Sequence, residues 1–197
     1  MSNLLFLFLS TLTVISTSSF TSATHVDTLT YSNHSLKTHP LGVSIVLYRV
    51  GKAEKVDDLS NLEKQMDKLK SVNLYKITED LGLIFLNTAD PYGNEQTLPY
   101  KMLFGTYVSK TIGDRVVNGF ISTTEVVKIC DWIKKNKIES FEGFSKIYDK
   151  LSIDTKQALI DIGSEDKKAL FDGYVKPLTE FYFEALKDKN SIVICGE

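Results

Sequence analysis

The sequence predicts an α+β fold. One compact domain over residues 41–197 is expected, in which a small sheet pairs an early strand with a C-terminal strand and is covered by several helices. Three observations support this. Two stretches rich in β-branched residues, GVSIVLYRV at 42–50 and SIVIC at 191–195, stand at opposite ends of the domain. Between them lie several segments with apolar residues at helical spacing. No internal repeat or long linker divides the chain, and its length suits one core.

The chain opens with MSNLLFLFLSTLTVISTSSFTSAT. Leu4 to Ile15 is strongly apolar but shorter than the roughly 20 residues that span a bilayer. The small residues that follow place Thr21 and Ala23 where a cleavage site needs them. Residues 1–23 are therefore expected to be a signal peptide, although MSN lacks the usual Lys or Arg. The first acidic residue is Asp27 and the first basic one Lys37, so all 25 acidic and 23 basic residues lie beyond the expected cut. Residues 24–40 read as a flexible polar leader that carries the glycan acceptor Asn33-His34-Ser35. The product is expected outside the cell or in the lumen of the secretory pathway. In such a compartment Cys130 and Cys195 become a candidate disulfide, although VVKICDW and SIVICGE equally suit buried thiols.

Within the domain, GVSIVLYRV is apolar on both faces and reads as an inner strand ended by Gly51. DDLSNLEKQMDKLKS places Leu59, Leu62, Met66 and Leu69 on one helical face, with Asp57 or Asp58 as cap. LYKITEDLGLIFLNT continues as a helix through Leu74, Ile77, Leu81, Ile84 and Phe85. Gly82 costs such a helix about 1 kcal/mol, which implies a close backbone approach there or, as the alternative, a strand at LGLIFL. Residues 89–120 are irregular in Pro and Gly spacing and read as loops around a short apolar turn at Leu98–Phe104. A connection this long is more often functional than a short one, so Asp90, Tyr92, Glu95 and Tyr100 are the candidate binding residues, with Asn94 and Lys101 beside them. Ser122 and Glu125 form a capping box at the start of a helix whose face carries Val126, Ile129, Cys130 and Ile133. Two shorter helices follow at FEGFSKIYDKL and SIDTKQALIDIG. A last helix runs through Leu170, Phe171, Tyr174, Val175, Leu178, Phe181 and Tyr182, kinked or divided at Gly173 and Pro177. SIVIC closes the chain and is expected beside GVSIVLYRV.

These elements resemble the YfbM-like domains, a bacterial family of unknown function. The likeness lies in LGVSIVLYRV, in NLYKITEDLGLIFLNT with the Pro- and Gly-containing loop after it, in GFISTTEVVKICDWI, and in EFYFEALKDKN running into SIVICG. The resemblance implies a compact α+β fold over residues 41–196 and no reaction. The family carries a Trp and a His on the helix matching residues 73–87, where this chain has Thr78 and Gly82, so a site built on that pair does not carry over.

The chemistry of the residues narrows the function classes. All three histidines, His25, His34 and His39, lie at or near the leader, which disfavours Ser-His-Asp, Cys-His and histidine-metal sites in the domain. There is no phosphate-loop or dinucleotide motif and no CxxC pair, so no cofactor and no metal is expected. A net charge of −2 gives no electrostatic footprint for nucleic acid. No later apolar run reaches spanning length, so no stable membrane insertion is expected after cleavage. Two readings remain for a protein or small-molecule partner. One is a non-catalytic binding or structural domain. The other is a carboxylate-dependent hydrolase near residues 90–107, for which Glu79 with Asp80, Asp90 with Glu95, or Asp161 with Glu165 would have to face each other.

Overall fold

The last strand of the chain is the middle of its sheet. The computed structural model describes residues 44–59, 62–92, 94–112, 115–164 and 166–196. The expected signal peptide, the leader and Asn33 lie outside them. Five strands, β1 (Ile45–Val50), β2 (Ser71–Tyr75), β3 (Thr106–Ile112), β4 (Arg115–Ile121) and β5 (Ser191–Gly196), form an antiparallel sheet in the order β2-β1-β5-β4-β3. The expected partnership of the early and terminal strands is present: Val46 faces Cys195 and Val50 faces Ser191. On its other side β5 pairs with β4, Ile121 facing Ile192.

The alternation of a strand sends successive side chains to opposite faces. Both faces of the inner strands β1, β5 and β4 are buried over most of their length, whereas the edge strands β2 and β3 are mostly exposed or half-buried. Ile45 and Leu47 of β1, Leu74 of β2, Ile121 of β4 and Ile192 and Ile194 of β5 enter the larger core. Val46, Tyr48, Val50, Val117, Phe120, Val193 and Cys195 enter a smaller one, closed by Ala53, Leu62 and Met66.

The larger core is roofed by α2 (Thr78–Leu86), α3 (Leu98–Phe104), α4 (Thr123–Asn136), α5 (Phe141–Asp149), α6 (Ile153–Asp161), α7 (Lys167–Leu170) and α8 (Lys176–Lys187). As expected, α4 buries Val126, Ile129, Cys130 and Ile133. A π-helical turn at Phe171–Val175 joins α7 to α8, which is where Gly173 and Pro177 suggested a break. Arg49 of β1 is buried under α8 and held by Glu184 at 3.0 Å and Asp188 at 3.4 Å, so the helix is tied to the sheet by charge as well as by packing.

The structure corrects three expectations. The helix expected over 57–71 is a set of short turns: 3-10 turns at Val56–Asp58 and Met66–Lys68 flank α1 (Leu62–Gln65). Leu62 and Met66 are buried as their spacing implied, but against the second face of the sheet. The chain then turns into β2, where Leu74 is buried and Tyr75 takes a left-handed backbone with φ 49°, so the next helix begins only at Thr78. The loops expected over 89–120 contain α3 and the hairpin of β3 and β4. Finally, Cys130 and Cys195 are not bridged. Cys130 sits in the larger core, its Sγ 3.4 Å from the Tyr182 carbonyl oxygen, whereas Cys195 points into the smaller core on the opposite face. A disulfide needs Cα atoms about 4.4–6.8 Å apart with converging Cβ vectors, and a sheet stands between these two.

Candidate functional site

The segment from α2 to α3 is fixed by local hydrogen bonds before any ligand is considered. Asn87 closes α2 in the left-handed conformation, and its Oδ1 accepts from the Ser152 N–H at 2.8 Å, tying the turn to α6. Thr88 Oγ1 accepts from the Asp90 N–H at 3.2 Å and Asp90 Oδ1 from the Tyr92 N–H at 2.9 Å, two consecutive side-chain turns. Thr97 caps α3 by accepting from the Tyr100 N–H at 3.4 Å, and its hydroxyl donates to the Asn94 carbonyl at 2.9 Å. Pro99 sits in the first turn of α3, where it lacks only an N–H that would be unpaired.

Beneath the turns lies an aromatic floor. The Tyr92 ring centroid is 5.5 Å from that of Phe104, and the Tyr100 centroid is 4.9 Å from it. Pro91 presses on α2 at Gly82, where a Cβ would fall 2.7 Å from the Pro91 Cβ. This is the close approach that the glycine implied, on a helix rather than a strand. The Tyr92 hydroxyl donates to Glu79 on α2.

The four predicted binding residues are thus brought together, in unequal roles. Asp90 and Glu95 are exposed, Tyr92 is half-buried, and Tyr100 is only 3% exposed and belongs to the core. Burial, reinforced by Glu95 and Asp90, pushes the Tyr100 hydroxyl up to about 12. Burial and the bond to Glu79 raise Tyr92 further. Neither phenol ionises near neutral pH. Tyr107, a third tyrosine of the region, stands on β3 facing Gly119.

The carboxylates of the region divide by the bonds they make. Asp80, next to Glu79, accepts from the Ser164 hydroxyl after α6. Its carboxyl is raised above the ordinary range, chiefly by burial, with the Ser164 bond acting against the shift. Successive helical residues diverge by about 100°, so Glu79 reaches Tyr92 while Asp80 reaches Ser164, and the two do not form a facing pair. Asp161 accepts from Gln157 at 2.8 Å on its own helix, and Glu165 lies outside the described residues.

Ser122 and Glu125 form the capping box that their spacing predicts. Ser122 Oγ accepts from the Glu125 N–H at 3.2 Å, and Glu125 Oε2 accepts from the Ser122 N–H at 3.1 Å. The sequence did not reveal the other side of Glu125: Oε1 takes the Lys101 ammonium at 2.7 Å and the Thr106 hydroxyl at 3.3 Å. Burial alone would raise this carboxyl; Lys101 and Ser122 outweigh it and hold it below the ordinary range. No spacing rule links residues 101 and 125. Their meeting depends on α3 and α4 being packed side by side.

No family model matches the chain, and no curated protein matches its sequence. Its fold is similar to that of YfbM from Escherichia coli, a protein of unknown function. The likeness covers 79% of this chain and 100% of the YfbM chain, with a TM-score of 0.53 and 15% identity. The α+β fold expected from the resemblance to YfbM-like domains is therefore present. At that identity the comparison with YfbM speaks for architecture, and any site must be argued from the residues of this chain. Of the two positions where the family pattern departs, Thr78 is buried at the start of α2 and Gly82 is the contact point of Pro91. Among the described residues, no group of His, Cys, Asp and Glu is placed to hold a metal ion, and no helix is long and apolar enough to cross a membrane.

Proposed function

We propose that the chain is an exported, non-catalytic binding domain, with residues 1–23 as its signal and the turn between α2 and α3 as its contact surface. One observation carries this reading. The turn is pinned from beneath by the Tyr92 hydroxyl on Glu79 and by its own side-chain turns, while Asp90 and Glu95 face outward. A surface held in one conformation loses less entropy when a partner binds. The hydrolase reading has one observation in its favour, the raised carboxyl of Asp80, a property shared by many general acids. Against it, Glu79, Asp80 and Glu125 are each engaged by a hydroxyl or ammonium group of the fold.

The test compares residues 24–197 with the double variant Asp90→Asn, Glu95→Gln by titration against peptide and oligosaccharide libraries. The expected result is saturable binding of one class by the natural chain and binding weakened by at least about tenfold in the variant, with the same thermal midpoint. Equal affinities would remove the turn as the contact surface. Turnover of a chromogenic glycoside or ester that is abolished by Glu79→Gln or Asp80→Asn would replace binding with hydrolysis. For export, sequencing the protein recovered from its host should give an N-terminus near Thr24, and an intact Met1 in a cytosolic fraction would end that part of the proposal.

A further inference from the structure

We draw no further inference here: the strongest candidate, the row of exposed isoleucines Ile153, Ile160 and Ile162 along and just beyond α6, carries nothing because nothing in the structure shows what covers it.

Discussion

Gly119 lies where the end of α3 meets β4, and a Cβ at this position would fall 2.0 Å from the carbonyl oxygen of Phe104. The neighbouring Gly105 has φ 68°, and a Cβ there would meet the Phe120 nitrogen at 2.8 Å. In both cases the obstacle is backbone, which cannot swing aside as a side chain would. Gly119→Ala should therefore lift α3 from the sheet and cost about 1–3 kcal/mol or more. Gly51→Ala, with nothing within 4 Å of the added methyl, is the control and should be nearly neutral. Equal urea midpoints for the two variants would show that α3 does not rest on Gly119. The capping box gives a second measurement at this scale: Ser122→Ala should cost roughly 0.5–2 kcal/mol. Its partner Glu125 also makes stability depend on pH. A carboxyl whose folded pKa is depressed contributes stability that is present above its unfolded value, about 4.3, and is lost as pH falls through the folded value. Asp80, whose carboxyl is raised chiefly by burial, acts in the opposite sense, since the folded state holds its proton. Glu125→Gln removes the first effect and leaves the second. The variant should therefore lose less stability than the natural chain between about pH 6 and about pH 3. Parallel acid limbs in urea titrations would mean that Lys101 and Ser122 do not hold the charged form.

At the scale of elements, legibility followed whether the signal was local. The capping box at Ser122, the stripe of α4 and the β-branched run of β5 carry their evidence within a few residues, and each appears where its pattern placed it. The segment 57–71 failed because helical spacing and burial against a sheet are different constraints. Leu62 and Met66 are four residues apart and are both buried, but only the helical turns Leu62–Gln65 and Met66–Lys68 form around them, and the chain is extended again by Ser71 to pair with β1. The hairpin was missed although a signal existed. Ile112 faces Arg115, and the sequence between them reads Gly-Asp, a dipeptide that between two β-rich runs is a sequence signal for a hairpin. The many glycines nearby suggested loops, whereas Gly119 is a contact point inside β4. β5 offers the clearest test. It pairs on both sides, with β1 and with β4, and buries Ile192, Val193, Ile194 and Cys195. Deleting residues 191–197 removes two ladders and exposes both cores. At about 25 cal/mol per Å² of apolar surface, the loss should exceed what a domain of typical stability, about 5–15 kcal/mol, can sustain. The shortened chain should show no cooperative melt and no native near-ultraviolet dichroism. A monomer melting where the full chain melts would mean that β5 is dispensable.

On the scale of the whole molecule, the sheet divides two cores of unequal cover. Among the described residues seven helices roof the larger core, whereas the smaller one is closed by Ala53 and by short turns contributing Leu62 and Met66, with Val56, Leu59 and Leu69 at their margin. The buried tether of that cover is near its start, where Ser191 Oγ donates to the Ala53 carbonyl at 2.6 Å and accepts from the Ala53 N–H at 2.9 Å. Further along, the cover is held at the surface by the ion pairs Lys110–Asp57 and Arg115–Asp67, each at 3.1 Å, and exposed pairs of this kind contribute about 0–1 kcal/mol each. Thr123 Oγ1 lies 3.0 Å from the same Ser191 hydroxyl. Beyond it, release of Leu62 and Met66 exposes two buried side chains worth about 1.5–3 kcal/mol each. Their sum, about 3–6 kcal/mol, falls at the low end of the range of about 5–15 kcal/mol that opens a whole domain, so the cover should open as a unit of its own. The two cysteines report on the two sides. Both are fully buried in the native state, and burial pushes the Cys130 thiol up to about 12, so each reacts only when its own core opens. In a thiol-specific reagent at urea concentrations well below the midpoint, Cys195 should be modified before Cys130, with a weaker urea dependence because less surface is exposed in its opening. Mass spectrometry of the two cysteine peptides follows each site separately. Equal rates with equal urea dependence would mean that both cores open only in global unfolding. Labelling that begins only after a reductant is added would show the pair bridged and place the two thiols on one side of the sheet.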